Sequence, residues 1–205
     1  MRIPKLVLWI FLAAAVAALG YGALVLRHGI SARKEPSRAE TRVARTLRHF
    51  AIPRIDRDEE NPWAESATPD VMKGAREHFA DHCAQCHANN GSGDTEMGKA
   101  LYPRAPDMRL PATQSLSDGE LYYIIRNGVP LTGMPAWGDP HFDQDDDSWQ
   151  LVLFIRHLPH LTPDEIKDME SYNPRGKMEA EDEEQPAAPG AAKPSGKAIE
   201  EHHHH

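Results

Sequence analysis

The sequence has few of the residues that hold a large or disulfide-bonded domain together. Of its 205 residues only two are cysteine, and 7% are aromatic. Cys83 and Cys86 lie three positions apart, so folds that depend on several disulfides are excluded. With 17 prolines and a net charge of −8, much of the chain buries little apolar surface, and we expect one small domain with long flanking segments.

Positive and negative charges occupy different parts of the chain. Residues 27–57 contain nine Arg or Lys and three Asp or Glu, whereas residues 66–162 contain seven and thirteen. Residues 163–205 contain five basic and eleven acidic residues. A difference of this size between segments indicates that each meets a different environment or partner.

The N-terminal segment has the composition of a membrane span. Residues 6–26 carry no charge and follow Arg2 and Lys5. A helix needs about 20 apolar residues to cross the hydrocarbon core, whereas the apolar part of a cleaved signal peptide has about 7 to 15. We therefore predict a cytoplasmic segment at residues 1–5 and an uncleaved transmembrane signal anchor at residues 6–26. A long signal peptide cut within residues 17–23 is the alternative.

Residues 27–65 are predicted to form a basic amphipathic helix followed by a linker. Within residues 37–51, Val43, Leu47 and Phe50 recur at i, i+4 and i+7 among several arginines. Such a helix can lie on anionic headgroups or dock on a partner subunit. A solvated helix, or a contact with the acidic part of the same chain, is equally compatible with the pattern.

A compact domain is predicted over residues 66–162, and its regular elements are helical. The sequence TPD at residues 68–70 is favoured at a helix start, and apolar positions then recur every four residues. These positions are Val71, Ala75, Phe79 and Cys83. Ser117 and Glu120 have the spacing of a capping box at the start of a second helix, and residues 147–158 predict a third. No segment reads as a strand, so the predicted fold class is all-α.

The chemistry of the chain is indicated by the sequence CAQCH at residues 83–87. Two thiols at this spacing, followed directly by histidine, form the attachment site of a c-type haem. A thioredoxin-like redox pair needs a βαβ context that the sequence lacks. A structural zinc site needs further ligands at suitable spacing, and no third cysteine exists. We therefore predict covalent attachment of one haem c through Cys83 and Cys86, with His87 as an iron ligand.

The chain from about residue 68 to residue 161 resembles the single-haem class I cytochrome c domain of bacterial respiratory and photosynthetic systems. The resemblance rests on Phe79, four residues before the first cysteine, and on four sequence motifs. These are CAQCH, YPRAPDM, LYYIIRNGVPLTGMPAW and WQLVLFIRHLP. It implies three main helices around a covalent haem, with the first and last helices crossing beside it. The residues expected to pack at this crossing are Ala75, Phe79, Trp149, Val152 and Phe154.

The resemblance also suggests a second axial ligand for the iron. In the family a methionine in a Gly-Met-Pro loop takes this position, and Gly133-Met134-Pro135 matches it. Met134 lies 47 positions after His87, which is enough chain to reach the opposite face of a porphyrin. His141 is the alternative ligand. Three other methionines are expected to fill gaps in the core: Met72, Met97 and Met108. Three other histidines are expected at the surface or at helix ends: His82, His157 and His160.

Further residues are candidates for contacts with the haem. The resemblance suggests that the Nδ1–H group of His87 donates to a backbone carbonyl of Pro103 or Pro106, a contact that would set the basicity of the ligand. Several other side chains could bond or screen the propionates, and a structural role is as compatible with each. They are Arg104, Arg109, Tyr122, Tyr123, Arg126 and Trp137.

The predicted function is one-electron transfer, and not enzyme catalysis. With both axial positions of the iron filled, no site remains for a substrate, and His/Met ligation raises the reduction potential. We expect redox proteins of a respiratory or photosynthetic chain as donor and acceptor, membrane lipid as a partner of the N-terminal helix, and no nucleic acid. A relay subunit of a larger membrane redox complex is the alternative function. A ligand-sensing or peroxidase-like haem protein is a further one.

The expected location of the haem domain is the periplasmic face of a bacterial inner membrane. Basic residues after the span favour the cytoplasm for the main domain, because Lys and Arg are retained on the inner side. The CAQCH sequence requires the opposite orientation, and we base the predicted location of the haem domain on this motif.

The C-terminal segment, residues 163–205, is predicted to be acidic and mostly disordered. After one or two further helical turns, its Pro, Ala and Gly content leaves too little apolar surface to fold. The chain ends in four histidines, His202 to His205. Native metal binding and the remnant of an expression tag are both compatible with this run.

Overall fold

The structure is a computed structural model that describes residues 4–29, 31–138, 141 and 145–174. Over these residues every regular element is a helix, which confirms the predicted all-α fold class. The α-helices are α1 (Lys5–His28), α2 (Arg38–Ala51), α3 (Arg54–Arg57), α4 (Pro69–His78), α5 (Ala84–His87), α6 (Glu96–Ala100), α7 (Pro111–Gln114), α8 (Asp118–Asn127), α9 (Asp146–His157) and α10 (Pro163–Met169). Short 3-10 turns lie at Ala64–Ser66, Leu158–His160 and Glu170–Tyr172.

Helix α1 contains the apolar N-terminal segment. Its residues Lys5–Arg27 have a mean hydropathy of 2.2, and the most apolar part is not buried inside the protein. At about 1.5 Å per residue this helix is about 35 Å long, slightly more than the hydrocarbon core of a bilayer. Helix α1 is therefore long and apolar enough to cross a membrane, as predicted for residues 6–26.

The core of the domain forms where α4 and the turn after it cross α9. The rings of Phe79 and Phe154 have centroids 5.1 Å apart, and both side chains are buried. Trp149, also on α9, stacks on Tyr122 of α8 with centroids 4.0 Å apart and ring planes 6° from parallel. Burial of each large apolar side chain contributes about 1.5 to 3 kcal/mol. All five residues expected at the crossing belong to one buried cluster, which confirms that prediction.

The three predicted helix starts are fixed by side-chain caps. Thr68 accepts a hydrogen bond from the backbone N–H of Val71 at the start of α4. Ser117 and Glu120 form a reciprocal capping box at the start of α8, and Asp145 caps α9. Each cap stabilises its helix by about 1 kcal/mol, so local sequence signals position the three main helices.

The helical stretch that leads to the cysteines is not regular. Helix α4 ends at His78 and continues as one π-helical turn, Phe79–Cys83, before α5 begins. The backbone N–H of Ala84 here donates to the carbonyl oxygen of Phe79, five residues earlier. A π turn contains one extra residue and therefore rotates the following side chains by about 100° about the helix axis. The four-residue spacing predicted one continuous helical face, and this irregularity was not expected.

The folded unit is longer than the predicted 66–162 at both ends. Ile52 is 2% exposed, and Nδ2 of Asn61 donates to a backbone carbonyl of α9 at 3.0 Å. At the other end, α10 places Met169 in the core with 0% exposure. Parts of the predicted linker and of the predicted tail therefore pack on the domain, because each contributes a side chain to its interior. Residues 175–205, including the four terminal histidines, lie outside the described residues.

Helix α2 forms as predicted and contacts the domain through polar side chains. Nδ1 of His49 lies 2.9 Å from Oε1 of Glu120, and the guanidinium of Arg57 reaches the His49 ring at 2.7 Å. Near the start of α2, the hydroxyl of Tyr102 donates to Glu40. The contact with the acidic part of the same chain, one of the expected alternatives, is therefore present.

Candidate functional site

The cysteines and the histidine of CAQCH lie at the end of the irregular helical stretch. Cys83 ends the π turn, and Cys86 and His87 lie on α5; we call residues 83–98 the cysteine arm. Both cysteines are free thiols. Burial, with a smaller effect of Cys86, raises the pKa of Cys83 to about 12, and burial also raises the pKa of Cys86. A thioredoxin-like redox pair has the opposite property, a lowered thiol pKa.

The imidazole of His87 is held in an apolar setting. Burial lowers its pKa, against a smaller raising effect of the backbone at Pro106. Nδ1 is buried and makes no hydrogen bond of standard geometry, although Pro106 lies near enough to affect the ring. The neutral ring this favours is the form that binds a metal ion. Of the two prolines expected beside His87, Pro106 is the one in this position.

Backbone contacts fix the cysteine arm. The N–H of Gly93 donates to the carbonyl oxygen of His87, with an N···O distance of 2.9 Å. The hydroxyl of Thr95 donates to the carbonyl oxygen of Cys86 at 3.2 Å. Gly98 lies directly against that same carbonyl, so that a β-carbon at position 98 would overlap it. Residues 93–98 therefore hold the backbone carbonyls of Cys86 and His87.

The proline-rich loop, residues 102–111, closes onto the cysteine arm. The backbone N–H of Ala105 donates to the carbonyl oxygen of Gly98 at 3.0 Å. Gly93 has φ = 72°, and a β-carbon there would collide with the carbonyl of Ala105. Glycine is therefore required at position 93 for two reasons, its left-handed backbone and the close approach of the loop. This approach brings Pro106 beside His87.

Met134 belongs to a separate turn, residues 128–138, which we call the methionine arm. The backbone N–H of Val129 donates to the carbonyl oxygen of Met134 at 3.0 Å. The hydroxyl of Thr132 donates to the carbonyl of Val129 at 2.7 Å and accepts from the N–H of Met134 at 3.1 Å. The side chain of Met134 is half-buried. The turn is thus held by bonds among its own residues.

Two further sets of contacts position the methionine arm. The backbone N–H of Trp137 donates to the carbonyl of Ile125 at 3.1 Å, and a second such bond joins the following residue to α8. The side chain of Leu101 lies so close to Gly133 that a β-carbon there would be 2.5 Å from it. The methionine arm therefore rests on α8 at one end and on the segment before the proline-rich loop at the other.

The other predicted contact residues have structural partners in the described part of the chain. The buried hydroxyl of Tyr122 accepts from the backbone N–H of Asp145 at 3.1 Å and from Arg126 at 3.4 Å. Tyr123 and Arg126 line a cleft between α8 and the methionine arm. Trp137 is 40% exposed. Its ring lies 5.4 Å from that of His82, the neighbour of the first cysteine.

The arginines of the proline-rich loop form ion pairs at the surface. Arg104 pairs with Glu35, before α2, at 3.1 Å, and Arg109 pairs with Asp107 at 2.7 Å. Both side chains therefore have carboxylate partners, and their contact with the propionates stays a prediction.

One of the methionine predictions is wrong. Met108 is buried and Met72 packs against the core, as expected. Met97, by contrast, is 52% exposed and fills no gap among the described residues. It lies on α6, where the adjacent Gly98 turns toward the carbonyl of Cys86 and leaves Met97 on the outer side.

The histidines lie broadly where they were expected. His82 has an exposed side chain, and His157 pairs with Glu165 at 3.0 Å near the end of α9. His160 and His141 are exposed.

Apolar side chains that sequence reasoning missed are exposed in the loops of the domain. Leu131, inside the methionine arm, is 101% exposed and has φ = 62°. Leu110 is 53% exposed at the end of the proline-rich loop. Met97 and Trp137 are exposed as well. For Leu110 and Leu131, their position in loops, where polar residues are expected, was the available signal.

The donor set and its surroundings suit a c-type haem. They combine two free thiols at the required spacing and an imidazole whose Nδ1 is buried and whose pKa is lowered by that burial. Among the described residues no group of three or more His, Cys, Asp or Glu could hold a metal ion, which leaves the alternative zinc site without ligands.

Comparison with known proteins agrees with this assignment. The family model described as "Cytochrome C oxidase, cbb3-type, subunit III" matches residues 70–155. A subunit named "Cbb3-type cytochrome c oxidase subunit FixP" from Rhizobium meliloti (strain 1021) is 34% identical over 91 residues. A subunit of the same name from Sinorhizobium medicae (strain WSM419) is 32% identical over 95 residues. Each match covers 44% of this chain and 28% of the relative, so the chain matches less than a third of each relative's length.

The matched segment begins within α4, contains CAQCH and the Gly-Met-Pro turn, and ends within α9. These are the elements that build the site described above. The matches support a haem c with a role in electron transfer, and residues 70–155 are similar to the c-type cytochrome domain of these relatives.

Proposed function

We propose that this protein carries one covalently attached haem c and passes single electrons between partners of a respiratory or photosynthetic chain. Cys83 and Cys86 would hold the haem through thioether bonds, with His87 and Met134 as the axial iron ligands. The observation that carries the proposal is the CAQCH segment, whose two free thiols and buried imidazole lie together over the π turn and α5.

Attachment needs only the groups that the chain supplies. Each thiol would add across one vinyl group, its sulfur bonding one carbon and its hydrogen the other, so that no oxidant is consumed. The bound haem supplies the Fe(III)/Fe(II) couple, whose potential depends on the axial ligands and their surroundings. The carbonyl contacts of Gly93 and Thr95 hold α5, and the hydroxyl of Thr132 holds the backbone at Met134.

Charge favours a basic partner for the domain. Residues 66–162 have thirteen acidic and seven basic residues, so the domain attracts a positively charged docking surface. Such complementarity accelerates encounter at low ionic strength and loses its effect as salt is added. The donor or acceptor of the electron is therefore expected to present Lys and Arg around its own redox centre.

The proposed location is the periplasmic face of a bacterial inner membrane, with α1 crossing once. Haem attachment to a CxxCH sequence supports this orientation. The nine basic residues within 27–57 oppose it, because the positive-inside tendency retains them in the cytoplasm. Labelling intact cells with a membrane-impermeant lysine reagent distinguishes the two orientations. Modification of Lys73 and Lys99 in intact cells supports the periplasm, and modification only after lysis contradicts it.

A second candidate function is a relay subunit of a larger membrane redox complex. It is favoured by the two relatives, whose names place them in a cbb3-type cytochrome c oxidase. Mild detergent extraction followed by a native gel separates the candidates. A free carrier migrates alone, whereas a relay subunit migrates with other chains and shares their haem staining.

A ligand-sensing or peroxidase-like protein is the third candidate. It predicts a large spectral change when carbon monoxide is added to the reduced protein.

The first test of the proposal is the covalent bond. Denatured protein on a gel should retain haem-dependent peroxidase staining, because thioether bonds survive denaturation. The double variant Cys83→Ala with Cys86→Ala should lose all of this staining. The matched control Cys83→Ser keeps one thiol and should retain part of it. Undiminished staining of the double variant would refute attachment at these positions.

A further inference from the structure

Helix α2 has an apolar face that no described part of the protein covers. Val43, Leu47 and Phe50 are 58%, 63% and 77% exposed, and no residue of α2 is fully buried. Ile55, shortly after the helix, is 83% exposed. We call Val43, Leu47 and Phe50 the α2 stripe. Three large apolar side chains in one row at the surface indicate a site of interaction.

The α2 stripe faces away from the folded domain. Thr41 and Arg48 are half-buried, and Ile52, directly after the helix, is buried, so these residues mark the side that contacts the domain. Burial also lowers the pKa of Arg48, against a raising effect of Glu120. At about 100° per residue, the centre of the α2 stripe lies roughly opposite this side. The two faces of α2 are therefore available to two different partners at once.

The position of α2 in the chain limits which partner can reach the stripe. Helix α1 ends at His28 and α2 begins at Arg38, so nine residues join them. Fully extended, these residues span at most about 30 Å. Since α1 is the membrane helix, α2 cannot move far from the bilayer surface, and the α2 stripe is always within reach of lipid.

The charges around the stripe favour an anionic surface. Arg33, Lys34, Arg38 and Arg42 lie in the joining segment and the first turns of α2. The acidic residues of the same region have partners in the domain. Glu35 pairs with Arg104, and Glu40 accepts from Tyr102. Arg33, Lys34, Arg38 and Arg42 are all exposed, so the exposed surface of the joining segment and of the first turns of α2 has an excess of positive charge.

We propose that α2 lies on the anionic phospholipid surface of the membrane that α1 crosses, with the α2 stripe inserted at the boundary between headgroups and acyl chains. An apolar face flanked by Arg and Lys is the arrangement of interfacial helices, and basic residues near an anionic leaflet add to the attraction. The acidic run at residues 179–184 of this chain fits less well, because five of its six residues are charged and cannot cover an apolar row.

This arrangement would fix how the domain stands on the membrane. One face of α2 contacts lipid while the other contacts α8 through His49 and Glu120. The pairs at Tyr102 and Arg104 join the same region to the loop that carries Pro106. Helix α2 would therefore hold the cysteine arm at one orientation to the bilayer, independently of which group occupies the site.

Photo-crosslinking of the full chain tests the proposal directly. Leu47 is replaced by the photoreactive residue p-benzoylphenylalanine, and the protein is reconstituted into nanodiscs of equal parts phosphatidylcholine and phosphatidylglycerol. Leu12 in α1 serves as the positive control, and Arg45, exposed on the same helix but directed away from the stripe, as the matched negative control. We expect lipid adducts at Leu47 and Leu12, and several-fold fewer at Arg45.

The other occupants give distinct products in the same experiment. An adduct of Leu47 with residues 175–205, with a second copy of the chain, or with another subunit in native membranes would overturn the proposal. Equal lipid adducts at Leu47 and Arg45 would overturn it as well, because they indicate no preferred face. An absence of adducts at Leu12 would instead contradict the membrane span itself.

Amide hydrogen exchange provides the second measurement. In the same nanodiscs, the amides of α2 should exchange several-fold more slowly than in nanodiscs of phosphatidylcholine alone. The triple variant Val43→Ser, Leu47→Ser, Phe50→Ser should lose this difference. A matched variant, Ala44→Ser with Ala51→Ser, changes helix propensity without altering the stripe and should keep it. Equal exchange in both lipid compositions, or retention of the difference in the triple variant, would refute binding to an anionic surface.

Discussion

The cysteine arm and the methionine arm are both held around a threonine, but they differ in what that threonine contacts. Thr95 donates to the carbonyl of Cys86, nine residues away, and accepts from Gly98. Among the described residues, Thr132 bonds to Val129 and Met134, within the same turn. The cysteine arm is also closed by the proline-rich loop, whereas the methionine arm rests on α8 through bonds near its end.

This difference suggests that the two proposed iron ligands are restrained unequally. Moving His87 requires several backbone bonds and close contacts between distant segments to break together. Moving Met134 requires a turn held mainly by bonds among its own residues to open and to leave its contacts with α8 and Leu101. Small, self-contained units open with a lower free energy than parts of a cooperative core. We therefore expect the methionine side of the iron to exchange ligands and the histidine side to remain in place.

Replacing Met134 should give the largest effect, on the reduction potential. Thioether favours Fe(II) and imidazole favours Fe(III), so Met134→His should lower the midpoint potential by about 0.1 V or more. Met134→Ala should open the iron and allow carbon monoxide to bind the reduced protein. Redox titration and absorption spectra measure both effects. Met97→Leu and Met108→Leu are the controls and should change neither. An unaltered potential and spectrum in Met134→Ala would make His141 the ligand to test.

A β-carbon at position 98 should disrupt the packing of the cysteine arm and lower the free energy of unfolding. Gly98→Ala places a methyl group against the carbonyl of Cys86, and overpacking of this kind costs about 1 to 3 kcal/mol. Gly74, within α4, has open space where a methyl group would lie, so Gly74→Ala should stabilise the protein by about 0.5 to 1 kcal/mol. Urea unfolding measures both free energies. A Gly98→Ala variant as stable as the parent protein would contradict the close packing of this arm.

The two threonines allow the arms to be compared with one substitution. Thr95→Val and Thr132→Val each remove hydrogen bonds at constant shape, and each should cost about 1 kcal/mol. Thr95→Val should lower the free energy of global unfolding. Thr132→Val should mainly raise the rate at which an added ligand such as imidazole displaces Met134. If both variants change the displacement rate equally, the arms are not independent.

The smallest expected effect is the pH dependence of the contact between α2 and α8. Burial acts to raise the pKa of Glu120, but the N–H of Ser117 and the His49 ring outweigh it, so the pKa lies below its ordinary value of 4.5. A carboxylate with a lowered pKa stabilises the fold above its unfolded pKa, and this contribution is lost as pH falls through the folded value. Melting temperatures should therefore drop below about pH 4.5. Glu120→Gln should lower the melting temperature at neutral pH and reduce this dependence. An equal acid-induced drop in the variant would show that Glu120 is not responsible.

The main helices could be predicted because their signals are local. Thr68 and Ser117 act on residues three positions away, and the apolar spacing of α8 and α9 is contained in each helix. The short helices α3, α6 and α7 have four or five residues each, too few for a period to be visible. The π turn likewise had no signature in the sequence.

The domain limits and the supports of the site could not be predicted, because they depend on contacts across the chain. Asn61 meets a carbonyl 88 positions away, and Met169 enters a core built from α4 and α9. The contact of Gly98 with the carbonyl of Cys86 joins residues twelve positions apart and forms only in the folded cysteine arm. The prediction for Met97 was wrong because a methionine side chain fits a core position and an exposed position equally well. The predictions for the cysteines, His87 and Met134 depend on two short motifs, and their roles as haem and iron ligands stay proposals.

The nine residues between α1 and α2 also set the conditions under which the domain meets other proteins. A domain tied to a bilayer by so short a segment explores a thin layer above the surface. Toward a redox protein held in the same bilayer, short tethers of this kind give an effective concentration on the order of mM. The rate of exchange then depends on how many of each protein share a given membrane area. Adding lipid lowers the number of both proteins per membrane area and should slow electron exchange between them. Diluting the vesicles with buffer should leave the rate of exchange unchanged.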